Sequence, residues 1–198
     1  KARHLDDFIV ATTNKHSDDI VAEFCSSLDV GCFRGDENDV LSRFADACAG
    51  IQCATVVRLT ADCPMIDPDV IDEVIEIYQS SNVDYASNTI LRTYPDGLDV
   101  EVFSRQALEQ AAQYANHPHL REHVTLYING KRPDLGHGKF RVAQLEFYAD
   151  FSHVRWTLDT KEDLKLIRNL VSRLPKSYGW LEALSQATIH PELLGVSK

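Results

Sequence analysis

Long apolar runs are missing from this chain of 198 residues. Nothing approaches the roughly 20 consecutive apolar residues that span a bilayer, so no membrane segment is expected. The opening stretch KARHLDD carries no apolar core of a signal peptide, and none is read there. Paired cysteine motifs are also missing. Five cysteines (Cys25, Cys32, Cys48, Cys53 and Cys63) lie scattered without a CxxC, which suits reduced thiols in a cytoplasmic protein. The eight histidines show no spacing that would complete a zinc site with them. Basic residues are outnumbered, 20 against 30 acidic ones, for a net charge of −10. That balance excludes a nucleic-acid polymer as partner, because a phosphate backbone is held by clustered Lys and Arg. It leaves room for a small polyphosphate gripped by a few arginines and a divalent cation. The nine glycines are dispersed, and no GxGxxG or comparable glycine-rich loop occurs. What remains, 44% hydrophobic and 25% charged residues, is the composition of a globular protein of one domain.

The chain alternates between two periodicities. FIVATT (8–13), 30–33 and 54–60 read as short buried strands; 17–28, 39–49 and 68–79 read as helices, the last started by Asp67 as cap and Pro68 at its first position. This alternation predicts right-handed crossovers and a mostly parallel sheet covered on both faces, with ligands at the carboxyl ends of the strands. Further on, 84–88 and 99–103 read as strands around the turn signal TYPDG, 104–114 and 119–129 as helices, 141–148 and 154–158 as strands, and 161–174 as an amphipathic helix.

Two aspartates stand out. Asp62 follows the most apolar strand, and Asp159 has a comparable place in RWTLDTKED. Brought together they would suit Mg²⁺, which takes one or two protein carboxylates and fills its other positions with water and phosphate oxygens. The plainer alternative makes each a helix cap, a stronger alternative for Asp159 than for Asp62, which has Asp67 better placed after it. Arg58 within a buried strand, Arg34 at a strand end and Arg155 are candidates to meet phosphate charge; a structural ion pair is the competing explanation for Arg58. In YPDGLDVEVF, Asp99 and Glu101 share one strand face and could accept hydrogen bonds from ligand hydroxyls, although a solvated hairpin edge explains them equally well. Arg121, Glu122 and His123 cluster at a helix start, where a surface cluster is the commoner explanation.

Taken in order, ATT (11–13), FRGDENDVLSRF (33–44), RLTADCPMIDPDVID (58–72), DYASNT (84–89), YPDGLDVEVFS (94–104), REHVT (121–125) and RWTLDTKEDL (155–164) resemble the SpsF-like cytidylyltransferases, relatives of the CMP-Kdo and CMP-sialic acid synthetases, from about Asp7 to Leu194. The resemblance implies a three-layer α/β fold of the nucleotide-diphospho-sugar transferase, or glycosyltransferase A, type. It further implies transfer of CMP from CTP to a small, acidic sugar in surface polysaccharide synthesis, such as that of the spore coat. By it, Asp62 and Asp159 match the Mg²⁺ ligands and Arg58 faces the phosphates. Arg34 and Gly35 lie on the nucleotide side, and Tyr94, Asp96, Gly97, Asp99, Glu101, Arg121, Glu122, His123 and Arg155 line or border the sugar pocket. The family's first strand and phosphate-wrapping loop have no counterpart here, so a single domain lacking that strand is expected. A glycosyltransferase using a nucleotide sugar and a non-catalytic sugar-binding module are the alternatives. Family relatives are commonly dimers, and YGWLEAL (178–184) offers an apolar contact, with burial of Trp180 in the monomer's own core the simpler use.

Overall fold

Strand β1 (Ile9–Thr13) pairs in parallel with β2 (Gly31–Gly35), register Ile9 to Gly31 through Thr13 to Gly35, and α1 (Asp19–Ser27) makes the crossover between them. In this computed structural model, which describes residues 1–195, the helix expected from Ser17 begins at Asp19 after one tight turn. The reason lies in Asp18. Its carboxylate is spent on the end of β1, accepting from the Thr12 and Thr13 hydroxyls at 2.7 Å each and from the Thr13 amide at 3.1 Å. Those bonds hold the Asp18 carboxyl well below the usual carboxylate range.

Helix α2 (Val40–Ala49) is capped by Asp39, which accepts from the Ser42 amide at 2.9 Å. Strand β3 (Thr55–Arg58) follows, and then α3 (Pro68–Ser80), capped by Asp67 with Pro68 in its first turn as the sequence predicts. The Asp67 carboxylate accepts from the Asp69 amide at 2.8 Å and also from the amide of Trp180 at 2.6 Å, so one cap ties α3 to the C-terminal part of the chain.

A mostly parallel sheet is not what the chain builds. β1 and β2 form a two-stranded sheet, and β3, β4 (Tyr85–Ser87), β5 (Glu101–Ser104) and β6 (Val142–Gln144) form a mixed one in the order β3-β5-β4-β6. β5 runs antiparallel to both β3 and β4, and only β4 and β6 are parallel. The cause is local: β4 and β5 are joined without an intervening helix, and a connection that lacks a crossover brings the second strand back antiparallel. The expected strand at 154–158 is reduced to a single parallel bridge between Asp96 and Arg155.

The core lies on both faces of the mixed sheet. One side gathers Trp156, Tyr94, Leu98 and Val102 with α3, α7 (Lys161–Val171) and α8 (Trp180–Ile189). The other packs Tyr85 and Phe103 against α2, α4 (Arg105–Tyr114) and two short helices, α5 (Pro118–Glu122) and α6 (Leu126–Asn129). Trp180 is buried in this core, 5.3 Å from the ring of Tyr94 and 4.8 Å from that of Phe147. Its residue type is thus explained within one chain.

Gly97 sets the approach of the YPDG turn to the rest of the fold. It has φ +110°, and a β-carbon there would stand 2.8 Å from the carbonyl carbon of Trp156. Gly97→Ala is expected to destabilise the protein by about 1–3 kcal/mol, through the disfavoured backbone region and the forced separation of the two segments. A chemical-denaturation midpoint equal to the parent's would contradict this.

Candidate functional site

The site begins where β3 ends. Arg58 is the last residue of β3, and Thr60, Asp62 and Cys63 follow in a turn closed by the Cys63 amide bonding the Thr60 carbonyl at 3.2 Å. The backbone carbonyl of Asp62 accepts from the Leu158 amide at 2.7 Å, so the segment carrying Asp159 runs directly beside the one carrying Asp62. The YPDG turn joins them from the third side. The Asp96 amide donates to the Val154 carbonyl at 2.8 Å, and the Trp156 amide donates to the Asp96 carbonyl at 2.7 Å. Three aspartate-bearing segments that are far apart in sequence therefore meet along one rim.

Asp159 does not cap α7. Thr160 is the cap, its hydroxyl accepting from the Asp163 amide at 3.1 Å, and the Asp163 carboxylate reaches back to the amides of Thr160 and Asp159 at 2.8 and 3.0 Å. With Arg155 beside it as well, Asp163 is held well below the usual carboxylate range. The Asp159 carboxylate is left half-exposed, touching the Arg155 guanidinium and, at 3.4 Å, the Thr157 hydroxyl. Asp96 has the opposite environment. Burial pushes its carboxyl up, Arg92 and Arg155 pull it down, and Asp99 and Asp62 push it up again.

The donor set at the rim suits a hard divalent ion such as Mg²⁺, which needs only one or two protein carboxylates and completes its shell from water and phosphate. Asp62 and Asp159 would be those carboxylates, and Arg155 is the group already neutralising Asp159.

Arg92 links the rim to a cleft of about 400 Å³. Its guanidinium grips the Asp99 carboxylate with two hydrogen bonds, one of 2.7 Å, and lies 3.3 Å from Asp96. The cleft is lined by Arg58, Arg92, Lys131, Asp99, His119 and His123 among others, with Thr60, Thr89 and Asn129 adding neutral polar groups. Its floor is a buried network. The Glu101 carboxylate accepts from Arg58, from the Tyr85 hydroxyl at 2.7 Å and from the Thr125 hydroxyl. Arg58 also stacks its guanidinium 5.9 Å over Phe44, and its buried Nε–H has no partner among the described residues. Lys131 donates to the Thr89 carbonyl, and burial followed by the nearby Arg92 pushes its ammonium pKa down.

Several residues expected at the pocket turn out to hold the fold. Tyr94 is buried, its hydroxyl donating to Glu73 at 3.0 Å, and Gly97 supports the turn. Arg121 clamps Asp39 and the carbonyl of Ala112, bridging α5 to α2 and α4, at a second hollow of about 430 Å³ outside the cleft. Arg34 donates to the carbonyls of Thr13 and Lys15 at 2.9 and 2.6 Å and to Asp19 at 2.7 Å, fastening the loop after β1, and Gly35 closes the same end of β2. Arg58, Asp99, Glu101 and His123 do line the cleft, while Glu122 stands exposed next to His123. Sequence reasoning missed Arg92, Lys131, Thr89 and Asn129, which sit in loops and helix ends without a motif. It also missed His119, although a signal was there: HLREH places two histidines four residues apart with a glutamate between them.

A mixed sheet with helices on both faces and an acidic rim at its strand ends is the architecture of α/β nucleotidyltransferases. Residues 1–190 match the cytidylyltransferase family, and the chain belongs to it; it is a cytidylyltransferase. Among curated proteins it is 42% identical to an uncharacterized protein of Methanocaldococcus jannaschii, over 86% of this chain and 68% of that one. It is 33% identical to the spore coat polysaccharide biosynthesis protein SpsF of Bacillus subtilis, over 85% of this chain and 68% of that one. The solved structure of a cytidylyltransferase from Leptospira borgpetersenii superposes with a TM-score of 0.89 at 26% identity, covering all of this chain and 82% of the other. A CMP:2-keto-3-deoxy-manno-octonic acid synthetase solved with CTP shares the fold alone, at a TM-score of 0.59 and 13% identity over 87% of this chain and 83% of that one. Among the described residues no helix is long and apolar enough to cross a membrane.

Proposed function

We propose that the protein transfers CMP from CTP to an oxygen of a small acidic sugar, with release of pyrophosphate, in the synthesis of a surface polysaccharide. The attacking hydroxyl or carboxylate oxygen forms the new bond to the α-phosphorus, the bond from that phosphorus to the bridging oxygen breaks, and any hydroxyl proton passes to solvent. Such a transfer needs alignment and neutralisation of charge more than covalent help. Mg²⁺ seated against Asp62 and Asp159 supplies part of that neutralisation. The chain's own cations do the rest, with Arg58 and Arg92 toward the phosphates and Lys131 toward the anionic sugar. Asp99 and Asn129 are placed to take hydrogen bonds from or give them to sugar hydroxyls. The observation that carries this reading is the backbone bond from Leu158 to Asp62, together with the Thr160 cap that frees the Asp159 carboxylate from the helix start and leaves it exposed beside Arg155. The SpsF relative supports the polysaccharide context.

The domain, on the same reading, receives one further strand between β1 and β3, each of which has a free edge among the described residues. Exposed Phe8 just before β1, Ile20 and Phe24 on α1, and Leu28 at its C-cap are what such an addition would cover. The test is pyrophosphate release from CTP and Mg²⁺ with a panel of acidic and neutral sugars, with CTP-induced thermal shifts measured on residues 1–198 and on a longer chain that carries additional N-terminal residues. Release with an acidic sugar is expected, and a larger shift in the longer chain. Hydrolysis of a nucleotide sugar without pyrophosphate release would overturn the proposal.

A further inference from the structure

At the edge of the cleft, which His119 and His123 line, these two histidines and the neighbouring Glu122 present one ligand atom each, all within 4.8 Å of one another. The rings of His119 and His123 meet edge to face with centroids 4.3 Å apart, and His123 Nε2 lies 4.0 Å from the Glu122 carboxylate. We propose that these three side chains form a binding site for a transition-metal dication of the zinc type, separate from the hard-ion site at the aspartate rim.

The argument starts from spacing. His119 and Glu122 stand three positions apart on α5, and His123, its C-cap, follows four positions after His119, which brings the three side chains together. Two imidazoles and a carboxylate are a known donor set for zinc, and imidazole selects zinc, cobalt or nickel over magnesium, which prefers oxygen. The backbone that carries them is fixed on every side. Leu120 and Val124 are buried, Arg121 is clamped to Asp39 and to α4, and the Thr125 hydroxyl bonds Glu101 in the floor of the cleft. The His123 amide closes the turn on the His119 carbonyl at 3.1 Å. The ligand tips, in contrast, are free. Among the described residues none of the three side chains makes a hydrogen bond, and His123 and Glu122 are 49% and 63% exposed. A tetrahedral ion with bonds near 2.1 Å needs ligand atoms about 3.4 Å apart, and closing the gap from 4.8 Å calls for rotation of the exposed Glu122 and His123 side chains about the half-buried His119. Three protein ligands would leave a fourth position open to water or a ligand, and two of the three, His119 and His123, line the cleft.

Metal-stripped protein is titrated with Co²⁺ and then Zn²⁺ in the presence of excess Mg²⁺, with visible absorption and a chromophoric chelator as readouts. Neither readout depends on catalytic turnover. One equivalent of Co²⁺ should bind with tetrahedral absorption bands and be displaced by Zn²⁺. His119→Ala, Glu122→Gln and His123→Ala should each weaken Zn²⁺ binding at least about tenfold. Circular dichroism identifies any variant that fails to fold, in which case His123→Asn serves in its place. Cys48→Ser/Cys53→Ser should bind as tightly as the parent, separating this site from thiol binding. Absence of uptake by the parent, or affinity undiminished in the His119→Ala/His123→Ala variant, would overturn the site.

Discussion

Asp62→Ala in the full chain is expected to lower CTP-dependent pyrophosphate release by about a hundred- to a thousand-fold, the range seen when one preorganised electrostatic group is removed from a reacting centre. The same variant should keep the parent's denaturation midpoint. This separation follows from how Asp62 is used. Its structural bond is the backbone carbonyl accepting from Leu158, which alanine retains. The carboxylate's one polar contact among the described side chains is the Cys63 thiol at a long 3.7 Å, and that thiol, pushed up to about 11 by burial, stays protonated at neutral pH. Little stability therefore rides on the side chain, whereas a phosphate-bound cation would depend on it. Steady-state rates with saturating Mg²⁺, compared with urea melts of both proteins, make the check. Parental turnover in Asp62→Ala would remove the rim from the reaction and with it the proposed transfer. A Mg²⁺ requirement moved to higher concentration, with partial activity regained, would instead be the mark of a weakened ion site.

The sequence made some of this legible and hid other parts for physical reasons. Helix starts were readable because caps are local: Asp39, Asp67 and Ser104 each bond an amide two or three residues on. Asp62 and Asp159 stood out because each follows an apolar segment, and the Leu158 amide donating to the Asp62 carbonyl sets their backbones side by side. The strand-helix alternation of the first half, extended to the whole, predicts a mostly parallel sheet, whereas the helix-free connection after β4 returns β5 antiparallel and makes the sheet mixed. The single helix expected at 119–129 divides into α5 and α6 because Thr125 turns its hydroxyl to Glu101, a partner 24 residues away that no local pattern announces. Long-range contacts of that kind also explain Arg34, Arg121 and Tyr94. Their residue types fit a pocket, and their partners, on distant elements, engage their polar groups within the fold.

Glu101→Ala is expected to cost about 3–5 kcal/mol, the penalty for stranding a buried charge. That is a large share of the about 5–15 kcal/mol by which domains are stable. Glu101 is the cross-strand neighbour of both Arg58 on β3 and Ser87 on β4, and its side chain is 8% exposed. Removing it frees the Arg58 guanidinium, 20% exposed and already carrying one unpartnered N–H, and leaves the hydroxyls of Tyr85 and Thr125 without their acceptor. Replacing both ends of the pair avoids that penalty. Arg58→Met/Glu101→Leu should recover most of the lost stability, since a buried ion pair and a packed apolar pair of similar volume differ little. Urea melts of the two single variants and the double one form the cycle, and a coupling below about 0.5 kcal/mol would show the pair to be independent. The activity of the double variant then separates the two explanations of Arg58. A structural ion pair alone predicts restored turnover along with restored folding. A guanidinium that also meets phosphate predicts a well-folded protein whose affinity for CTP stays reduced, because methionine fills the space without supplying the charge.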